Sequence, residues 1–301
     1  MSPTRRIYVS MPADRWLDSH QNALKWGIVE QVENIGYTPE IFTDPSGRTS
    51  LAAGKGWSAM AAYEVARRCH GAAIIGLPRW EVDSGDRRLV LPSEYCHYEG
   101  ALARTLDLPL LILAQEDLLP RVVFDPSFGP LMGWFPAGAD ASWLSTKAFE
   151  VCFGHWAEEL SSRRDVFLGY SGASASVARV LRQYLERTLK VSVLDWQRDF
   201  KFGRSILEEI EEARHRCTAG VFLFTKDDAL DGPGGQAIPR DNVVFEAGYF
   251  ASSKGKDRVL IVREEGTRLP ADLGGDIYSS FNDRSKLTAV KLNLRRFVGD
   301  L

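Results

Sequence analysis

Residues 240–262 read RDNVVFEAGYFASSKGKDRVLIV, and this stretch decides the fold of the C-terminal half of the sequence. Its first part, 243–251, predicts a helix, and DRVLIV at 257–262 predicts a buried strand because the apolar run is short and follows polar residues. Another apolar run, GVFLF at 220–224, lies upstream. A strand, a helix and a second strand in this order predict a unit of a parallel sheet.

The same alternation extends upstream through the C-terminal half. Strands are predicted at DVFLGYS (165–171) and VSVLDW (191–196), and helices at 176–189 and 205–216. Strand–helix alternation of this kind is typical of a mostly parallel sheet with helices on both faces. We therefore assign residues 163–301 to one α/β domain.

The N-terminal half follows the same plan. Its predicted strands are IYVSM (7–11), YTPEIF (37–42), GAAIIGL (71–77) and LLILA (110–114), and its predicted helices are 22–35, 58–68 and 94–106. We assign residues 1–143 to an N-terminal α/β domain and residues 144–162 to a connecting helix. The apolar face of that helix, with Phe149, Phe153, Trp156 and Leu160, is expected to pack between the domains.

Local similarity between the halves predicts an internal repeat. ARRCHGAAIIGL (66–77) matches ARHRCTAGVFLF (213–224), and each segment leads into an Asp/Gly-rich loop. A glutamate then follows at a nearly equal distance, Glu99 in HYEGALA and Glu246 in VVFEAGYF. We interpret the halves as two copies of one unit; the alternative is chance similarity between two generic α/β domains.

Composition excludes several classes of function. The net charge of -3 argues against general nucleic-acid binding, which normally needs a face rich in Lys and Arg. The four cysteines lie far apart without CxxC spacing, so neither a metal site nor a disulfide framework is predicted. No apolar run approaches the length of a membrane span, and no signal peptide is apparent. We expect a cytoplasmic protein that binds no membrane.

Candidate functional residues lie in the loops beyond the carboxyl ends of the predicted strands, where open parallel sheets bind ligands. Four such loops are GYSGAS (169–174), DWQRDFKFGR (195–204), residues 225–242 and REEGTRLPADLGG (263–275). The third leads into Glu246, whose neighbours in the helix are largely apolar. Burying a carboxylate is costly unless it has a partner or a task, so Glu246 is the candidate catalytic residue; a helix-dipole role is the alternative.

Several blocks of this half are similar to the bacterial TIR-like family of predicted nucleotide-binding domains. They are GYSG, GRSILEEIEEA, FLFTKDD, RDNVVFEAGYF and the late P-x-DLGG, and together they cover most of 163–301. The resemblance implies a flavodoxin-like fold, and by the repeat two such domains in tandem. It also implies NAD+ cleavage with Glu246 as the catalytic residue, because the family requires the glutamate of the N-V-V-F-E-x-G block. A role as an effector of bacterial antiphage defence, acting by NAD+ depletion, is implied in the same way.

A single carboxylate fits this chemistry. Nicotinamide leaves NAD+ as a neutral base, and the ribose left behind develops positive charge that a carboxylate can stabilise. We assign Glu246 this role. The predicted substrate-binding residues are Gly169, Tyr170, Ser171, Arg204, Asp227 and Asn242. Among them, Tyr170 and Ser171 are expected beside the ribose or nicotinamide, and Arg204 beside the pyrophosphate.

The N-terminal half offers a second, diverged set of candidates. Its pocket residues are predicted to be Trp57, Glu94 and Glu99. The pattern around Glu99 resembles both the TIR-like block and the nucleoside deoxyribosyltransferases, which cleave a related N-glycosidic bond. MPADRW replaces GYSG, however, and SEYCH replaces RDNVV. We favour a nucleotide-binding or regulatory module over a second active site.

The sequence therefore predicts an NAD+ glycohydrolase regulated by its N-terminal domain. NAD+ is the substrate and no separate cofactor is expected. The family implies activation by a nucleotide or a partner protein, with assembly into a homo-oligomer. Two alternatives stay open, a non-catalytic nucleotide sensor that binds ligands in both domains and an enzyme that acts on nucleosides like a deoxyribosyltransferase.

Overall fold

The computed structural model describes residues 3–44, 51–129, 132–200, 203–229, 237–269 and 278–301. The chain forms two compact units, one comprising Arg5–Ser162 and the other containing Arg163–Leu301. None of the described helices is long and apolar enough to cross a membrane.

The first unit is built on a parallel sheet. Its strands are β1 (Arg6–Ser10), β2 (Thr38–Glu40), β3 (Gly71–Gly76), β4 (Trp80–Ser84), β5 (Arg87–Leu91), β6 (Leu110–Gln115) and β7 (Met132–Phe135). Its helices are α1 (Ser19–Asn34), α2 (Ala59–Ala66), α3 (Glu94–Thr105) and α4 (Lys147–Ser162). Within the described residues, five strands pair in parallel in the order β2-β1-β3-β6-β7, and β4 and β5 form a separate antiparallel hairpin.

The second unit repeats this arrangement. Its strands are β8 (Arg164–Gly169), β9 (Val193–Asp195), β10 (Cys217–Phe224), β11 (Asp228–Ala229), β12 (Ala237–Ile238), β13 (Val259–Glu264) and β14 (Tyr278–Phe281). Its helices are α5 (Ala175–Gln183), which continues as a π-helical turn over Tyr184–Thr188, α6 (Trp196–Asp199), α7 (Ile206–Arg216), α8 (Asp241–Lys254) and α9 (Thr288–Gly299). The parallel sheet of the described strands has the order β9-β8-β10-β13-β14.

Both sheets therefore have the flavodoxin-like strand order 2-1-3-4-5. Apolar side chains cover both faces of each sheet and form two hydrophobic clusters per unit in the described part of the chain. The predicted fold, two tandem α/β domains with parallel sheets and helices on both faces, is confirmed.

The two predicted glutamates occupy the same place in the two units. Glu99 is the sixth residue of α3, and Glu246 is the sixth residue of α8. Each helix lies between the third and fourth strands of its parallel sheet along the chain. Both side chains are buried, so the repeat places two carboxylates at equivalent interior positions.

The helix predicted as a connector packs differently from our expectation. Phe149, Phe153, Trp156 and Leu160 of α4 belong to a hydrophobic cluster of the first unit, together with residues of β1, β3 and β6. The Trp156 indole also donates a hydrogen bond to the carbonyl oxygen of Pro109 at 3.1 Å. The expectation of packing between domains was wrong, because the aromatic face of α4 covers one side of its own sheet.

Other elements were missed or mislocated by sequence reasoning. β7 lies in the Pro/Gly/aromatic stretch 125–141, where four residues between turn formers did not stand out as a strand. The loop assigned after residue 77 contains the β4–β5 hairpin, whose residues are largely exposed and lack a clear apolar pattern. The P-x-DLGG block at 270–275 lies outside the described residues.

Candidate active site

A cavity of about 900 Å³ opens at the carboxyl ends of β8 and β9 in the second unit. Its wall is formed by the segments that follow these strands and by the beginnings of α7 and α8. The lining residues are Tyr170, Ser171, Gly172, Trp196, Gln197, Phe200, Arg204, Ile206, Glu209, Arg240, Asp241, Asn242, Val243 and Glu246. The cavity lies where doubly wound sheets bind their ligands.

Glu246 is the unusual group of this cavity. The residue is 8% exposed, and Oε2 has no hydrogen-bond partner among the described residues. Burial raises the pKa of Glu246 from 4.5 to about 8. A carboxyl left without a donor in an apolar setting destabilises the fold when it ionises, so a functional role is the physical explanation that we favour.

Gly169 lets the end of β8 approach this carboxyl group. A Cβ atom at Gly169 would lie 2.7 Å from Glu246 Oε2 and would also overlap the ring of Phe222. Any other residue at this position would have to displace one of these groups. Gly169 thus lies behind the carboxyl group, while Glu246 itself lines the cavity.

The cavity brings together most of the residues predicted from the sequence. Tyr170, Ser171, Arg204 and Asn242 all line it with Glu246. Asp227 is absent from the described lining residues and instead accepts a hydrogen bond from the Thr225 hydroxyl at 2.7 Å. Its other carboxylate oxygen accepts from the Arg240 amide at 3.4 Å, so it ties together two ends of the segment that precedes α8.

A capping box fixes the start of α7. The Ser205 side chain accepts from the Glu208 amide at 3.2 Å, and the Glu208 side chain accepts from the Ser205 amide at 2.8 Å. Arg204 directly precedes this cap and lies 3.1 Å from the buried Glu209 carboxylate. The guanidinium is therefore held at the cavity, but part of its charge is already compensated.

A network of three side chains behind the cavity was not predicted from the sequence. The Tyr170 hydroxyl donates to Asp195 Oδ1 at 2.6 Å, and Arg182 donates to Asp195 Oδ2 at 2.7 Å. Burial, with the hydrogen bond to Asp195, raises the pKa of Tyr170, so its hydroxyl stays protonated. The available signal was Asp195 itself, a polar residue at the carboxyl end of a predicted strand.

Aromatic side chains form the apolar part of the wall. The Tyr170 and Trp196 rings pack with centroids 5.6 Å apart, and the Trp196 indole donates to the Tyr170 carbonyl oxygen at 2.9 Å. Phe200 stacks on the buried Phe167. The wall offers flat surfaces suited to a planar ring.

The predicted N-terminal residues also lie together. Trp57, Glu94 and Glu99 line a second cavity of about 430 Å³ in the first unit, at the carboxyl ends of β1 and β2. Unlike Glu246, Glu99 has hydrogen bonds to both carboxylate oxygens. In the described part of the chain, no group of His, Cys, Asp and Glu side chains is arranged to hold a metal ion.

Comparison with known proteins identifies the second unit. Residues 165–283 match a family model described as the TIR domain of the CAP12/Pycsar effector protein. The Pycsar effector protein BcPycTIR of Burkholderia cepacia is 30% identical over 145 residues, covering 45% of this chain and 48% of that protein. The C-terminal half of the chain is thus a bacterial TIR-like domain, as the RDNVVFEAGYF block implied.

Two further relatives give the same result. A CD-NTase-associated protein 12 of Sphingobacterium faecium is 29% identical over 125 residues, covering 41% of this chain and 38% of that protein. The Pycsar effector protein PaPycTIR of Pseudomonas aeruginosa is 32% identical over 114 residues, covering 36% of this chain and 37% of that protein. The chain spans about half the length, or less, of these curated relatives.

Replacing Glu246 with Gln should stabilise the protein in a pH-dependent way. The pKa of the Glu246 carboxyl group is about 8 in the folded protein, against the ordinary value of 4.5 in the unfolded chain. As the pH rises, the carboxyl group therefore ionises first in the unfolded chain. This ionisation favours unfolding, so the wild type loses stability between pH 4.5 and 8. The advantage of Glu246→Gln should therefore grow from about pH 4.5 to 8 by about 1.4 kcal/mol per pH unit at most, and then level off. Urea unfolding across this range measures it.

The exposed Glu211→Gln provides the control, because it removes the same charge from the surface of α7, so a comparison of the two variants isolates the effect of burial. A stability difference between Glu246→Gln and wild type that does not change with pH would show that the buried carboxyl has an ordinary pKa.

Replacing Asp195 with Asn should lower the free energy of unfolding, because Asp195 holds Tyr170 and Arg182 at the wall of the cavity. The substitution removes the nearer of the two carboxylates that pair with Arg182, so the cost should be at most the ~3–5 kcal/mol that breaking a fully buried ion pair takes. A double-mutant cycle with Tyr170→Phe should give a coupling energy of about 1 kcal/mol, because the two side chains share a hydrogen bond. Urea unfolding measures both, with the exposed Asp300→Asn as control; additive effects would contradict the coupling.

Proposed function

We propose that the C-terminal unit is an NAD+ glycohydrolase, which cleaves the N-glycosidic bond between nicotinamide and ribose. The observation that supports this proposal most is the buried Glu246, whose Oε2 lacks a hydrogen-bond partner among the described residues and which lines a cavity of about 900 Å³. A ligand in the cavity meets a carboxyl group whose Oε2 is already withdrawn from water and is not held by any described donor.

The reaction needs little proton transfer at the leaving group. The nicotinamide ring of NAD+ carries a positive charge, so cleavage releases it as a neutral base, and water then attacks C1 of the ribose. Positive charge develops on the ribose during cleavage, as in other glycoside hydrolyses. Glu246 stabilises that charge from a site of low dielectric constant, where the attraction is stronger than in water.

The raised pKa of Glu246 couples substrate binding to ionisation. Without a ligand, a carboxyl group of pKa about 8 is mostly protonated at neutral pH. A cationic nicotinamide ring beside it favours the ionised form. NAD+ therefore promotes the charge state that its own cleavage requires, whereas a neutral ligand does not.

The rest of the cavity suits a dinucleotide. Its volume of about 900 Å³ lies in the upper part of the range of about 300–1,000 Å³ for small-molecule sites. Tyr170 and Trp196 offer aromatic surfaces to a base, and the cations Arg204 and Arg240 lie at the beginnings of α7 and α8 for a pyrophosphate. The substrate is NAD+, and the reaction as proposed uses no separate cofactor.

We place this activity in bacterial antiphage defence. Relatives of the C-terminal unit are named Pycsar effector proteins and CD-NTase-associated protein 12, and the TIR-like resemblance implies an effector that depletes NAD+. Such an enzyme has to be inactive before infection. A nucleotide or a partner protein, acting with assembly of the chain, provides the activation.

Purified protein incubated with NAD+ should release nicotinamide, and Glu246→Gln should reduce the rate at least 100-fold because the developing ribose charge loses its counter-charge. Chromatography of free nicotinamide measures the rate, at high protein concentration and with a panel of nucleotides present or absent. Glu211→Gln should retain wild-type activity, since that residue is exposed on α7. Equal release by wild type and Glu246→Gln, or release of base from deoxynucleosides and none from NAD+, would contradict the proposal.

The pH dependence should report the ionisation of Glu246. If the ionised form is active, kcat/KM rises with pH and reaches a plateau above about 8, the pKa of the free enzyme. The midpoint of the rise in kcat should lie at a lower pH than that of kcat/KM, because the bound cationic ring stabilises the carboxylate. Steady-state rates between pH 5 and 10 test this, and a kcat/KM that falls with rising pH would show that the protonated acid is the active form.

A further inference from the structure

The cavity of the first unit combines aromatic surfaces with charged groups of both signs. Its volume is about 430 Å³, roughly half that of the C-terminal cavity. Aromatic side chains make up much of the wall: Trp16, Phe42, Trp57, Trp80 and Tyr95. The charged lining residues are Arg15, Arg79, Glu94 and Glu99. A ligand that matches this wall has a planar ring, an anionic group and polar hydrogens.

Glu99 is held in one position by three donors. The Tyr8 hydroxyl and the Trp57 indole donate to Oε1 at 2.6 and 2.7 Å, and the Ser10 hydroxyl donates to Oε2. Glu99 is 6% exposed, and burial raises the pKa of its carboxyl group. Its oxygens have few acceptor sites left, so Glu99 is suited to accept one further hydrogen bond, from a sugar hydroxyl or a base.

Two guanidinium groups of this cavity rest on indole faces. The Arg79 guanidinium carbon lies 3.5 Å from the ring centroid of Trp16 and 4.2 Å from that of Trp80, and that of Arg15 lies 5.1 Å from Trp16. Among the described residues, neither group has a carboxylate within ion-pair distance. Stacking orients a guanidinium while its N–H edge stays available to an anion.

The segment that carries Arg15 and Trp16 is held in place by side chains of α1. The buried ammonium group of Lys25 donates to the Pro12 carbonyl oxygen at 2.7 Å and lies 2.5 Å from the Asp14 carboxylate. The Trp26 indole also donates to Asp14, at 3.2 Å. Because Lys25 holds this loop in place, the wall of the cavity is preorganised, which lowers the entropic cost of binding a ligand there.

We propose that this cavity binds a nucleoside 5′-monophosphate without cleaving it. The phosphate lies against Arg15 and Arg79, because two guanidinium groups match the charge of a phosphate dianion. The base packs on the aromatic wall, and Glu99 accepts a hydrogen bond from the sugar or the base. The volume suits a mononucleotide better than a dinucleotide. This site lies outside the cavity proposed for NAD+ and goes beyond the proposed function.

Calorimetric titration of the full chain tests the proposal. The ligands are the 5′-monophosphates of adenosine, guanosine, cytidine and uridine, the four matching nucleosides and inorganic phosphate. The titrations use the Glu246→Gln variant, so they do not depend on NAD+ cleavage. At least one monophosphate should bind with one-to-one stoichiometry, and its nucleoside and inorganic phosphate should each bind at least tenfold more weakly.

Variants locate the site. Arg79→Gln should raise the Kd of the monophosphate at least tenfold and abolish its advantage over the nucleoside, and Arg15→Gln should act in the same direction. Arg88→Gln is the matched control, because Arg88 is exposed on the hairpin that directly follows Arg79, pairs with Glu81 and is not among the lining residues. Arg204→Gln, in the other cavity, should also leave the Kd unchanged. A Tm within a few degrees of the parent confirms that each variant is folded.

Several results would overturn the proposal. They are no binding of any monophosphate at millimolar concentration, equal affinity for nucleoside and monophosphate, equal affinity for inorganic phosphate, and an unchanged Kd in Arg79→Gln. Release of free base from the bound nucleotide, followed by chromatography, would show a second active site instead. The proposed NAD+ cleavage would survive each of these results, because it depends on Glu246.

Discussion

The buried Glu246 is the constraint around which the second unit is organised. Its position on α8 places a carboxyl group among apolar side chains, and Oε2 has no hydrogen-bond partner among the described residues. The packing of the β8, β10 and α8 core offsets this cost. The end of β8 also has to come close, which only Gly169 permits without displacing a neighbour. At the edge of the sheet where ligands bind, the fold thus holds a carboxyl group whose ionised form is energetically unfavourable.

The same helical position has the opposite character in the first unit, and the first strands explain why. Ser10 and Gly169 are each the last residue of the strand nearest the glutamate, and Tyr8 and Phe167 lie two residues earlier. The hydroxyl groups of Tyr8 and Ser10 donate hydrogen bonds to Glu99, whereas the side chains of Phe167 and Gly169 contain no donor for Glu246. These two differences on one strand, together with the Trp57 indole, therefore separate a carboxyl group held by three donors from one whose Oε2 has no partner among the described residues.

Sequence reasoning found what depends on local pattern. Alternating strands and helices predicted both sheets, and the repeat predicted that Glu99 and Glu246 are equivalent. It placed Asp195 in a candidate loop but did not predict its contacts, because nothing near that residue shows that Tyr170 and Arg182 meet at its carboxylate. Contacts of this kind join residues of different elements and follow from the strand order. The aromatic face of α4 was misjudged for the same reason, since periodicity shows that a face is apolar but not which sheet it covers.

The two cavities occupy matching edges of two sheets with the same strand order, yet their walls differ in what they can hold. Around Glu246, the charge of Arg204 is partly compensated by Glu209, and the cavity has about twice the volume of the other one. In the smaller cavity, Arg79 lies between indole faces and is available to an anion. Two units with the same fold thus carry one glutamate whose Oε2 lacks a partner among the described residues and one whose carboxylate accepts three hydrogen bonds. The fold supplies the position, and the surrounding side chains, Tyr8, Ser10 and Trp57 in the first unit, decide how many donors a glutamate there meets.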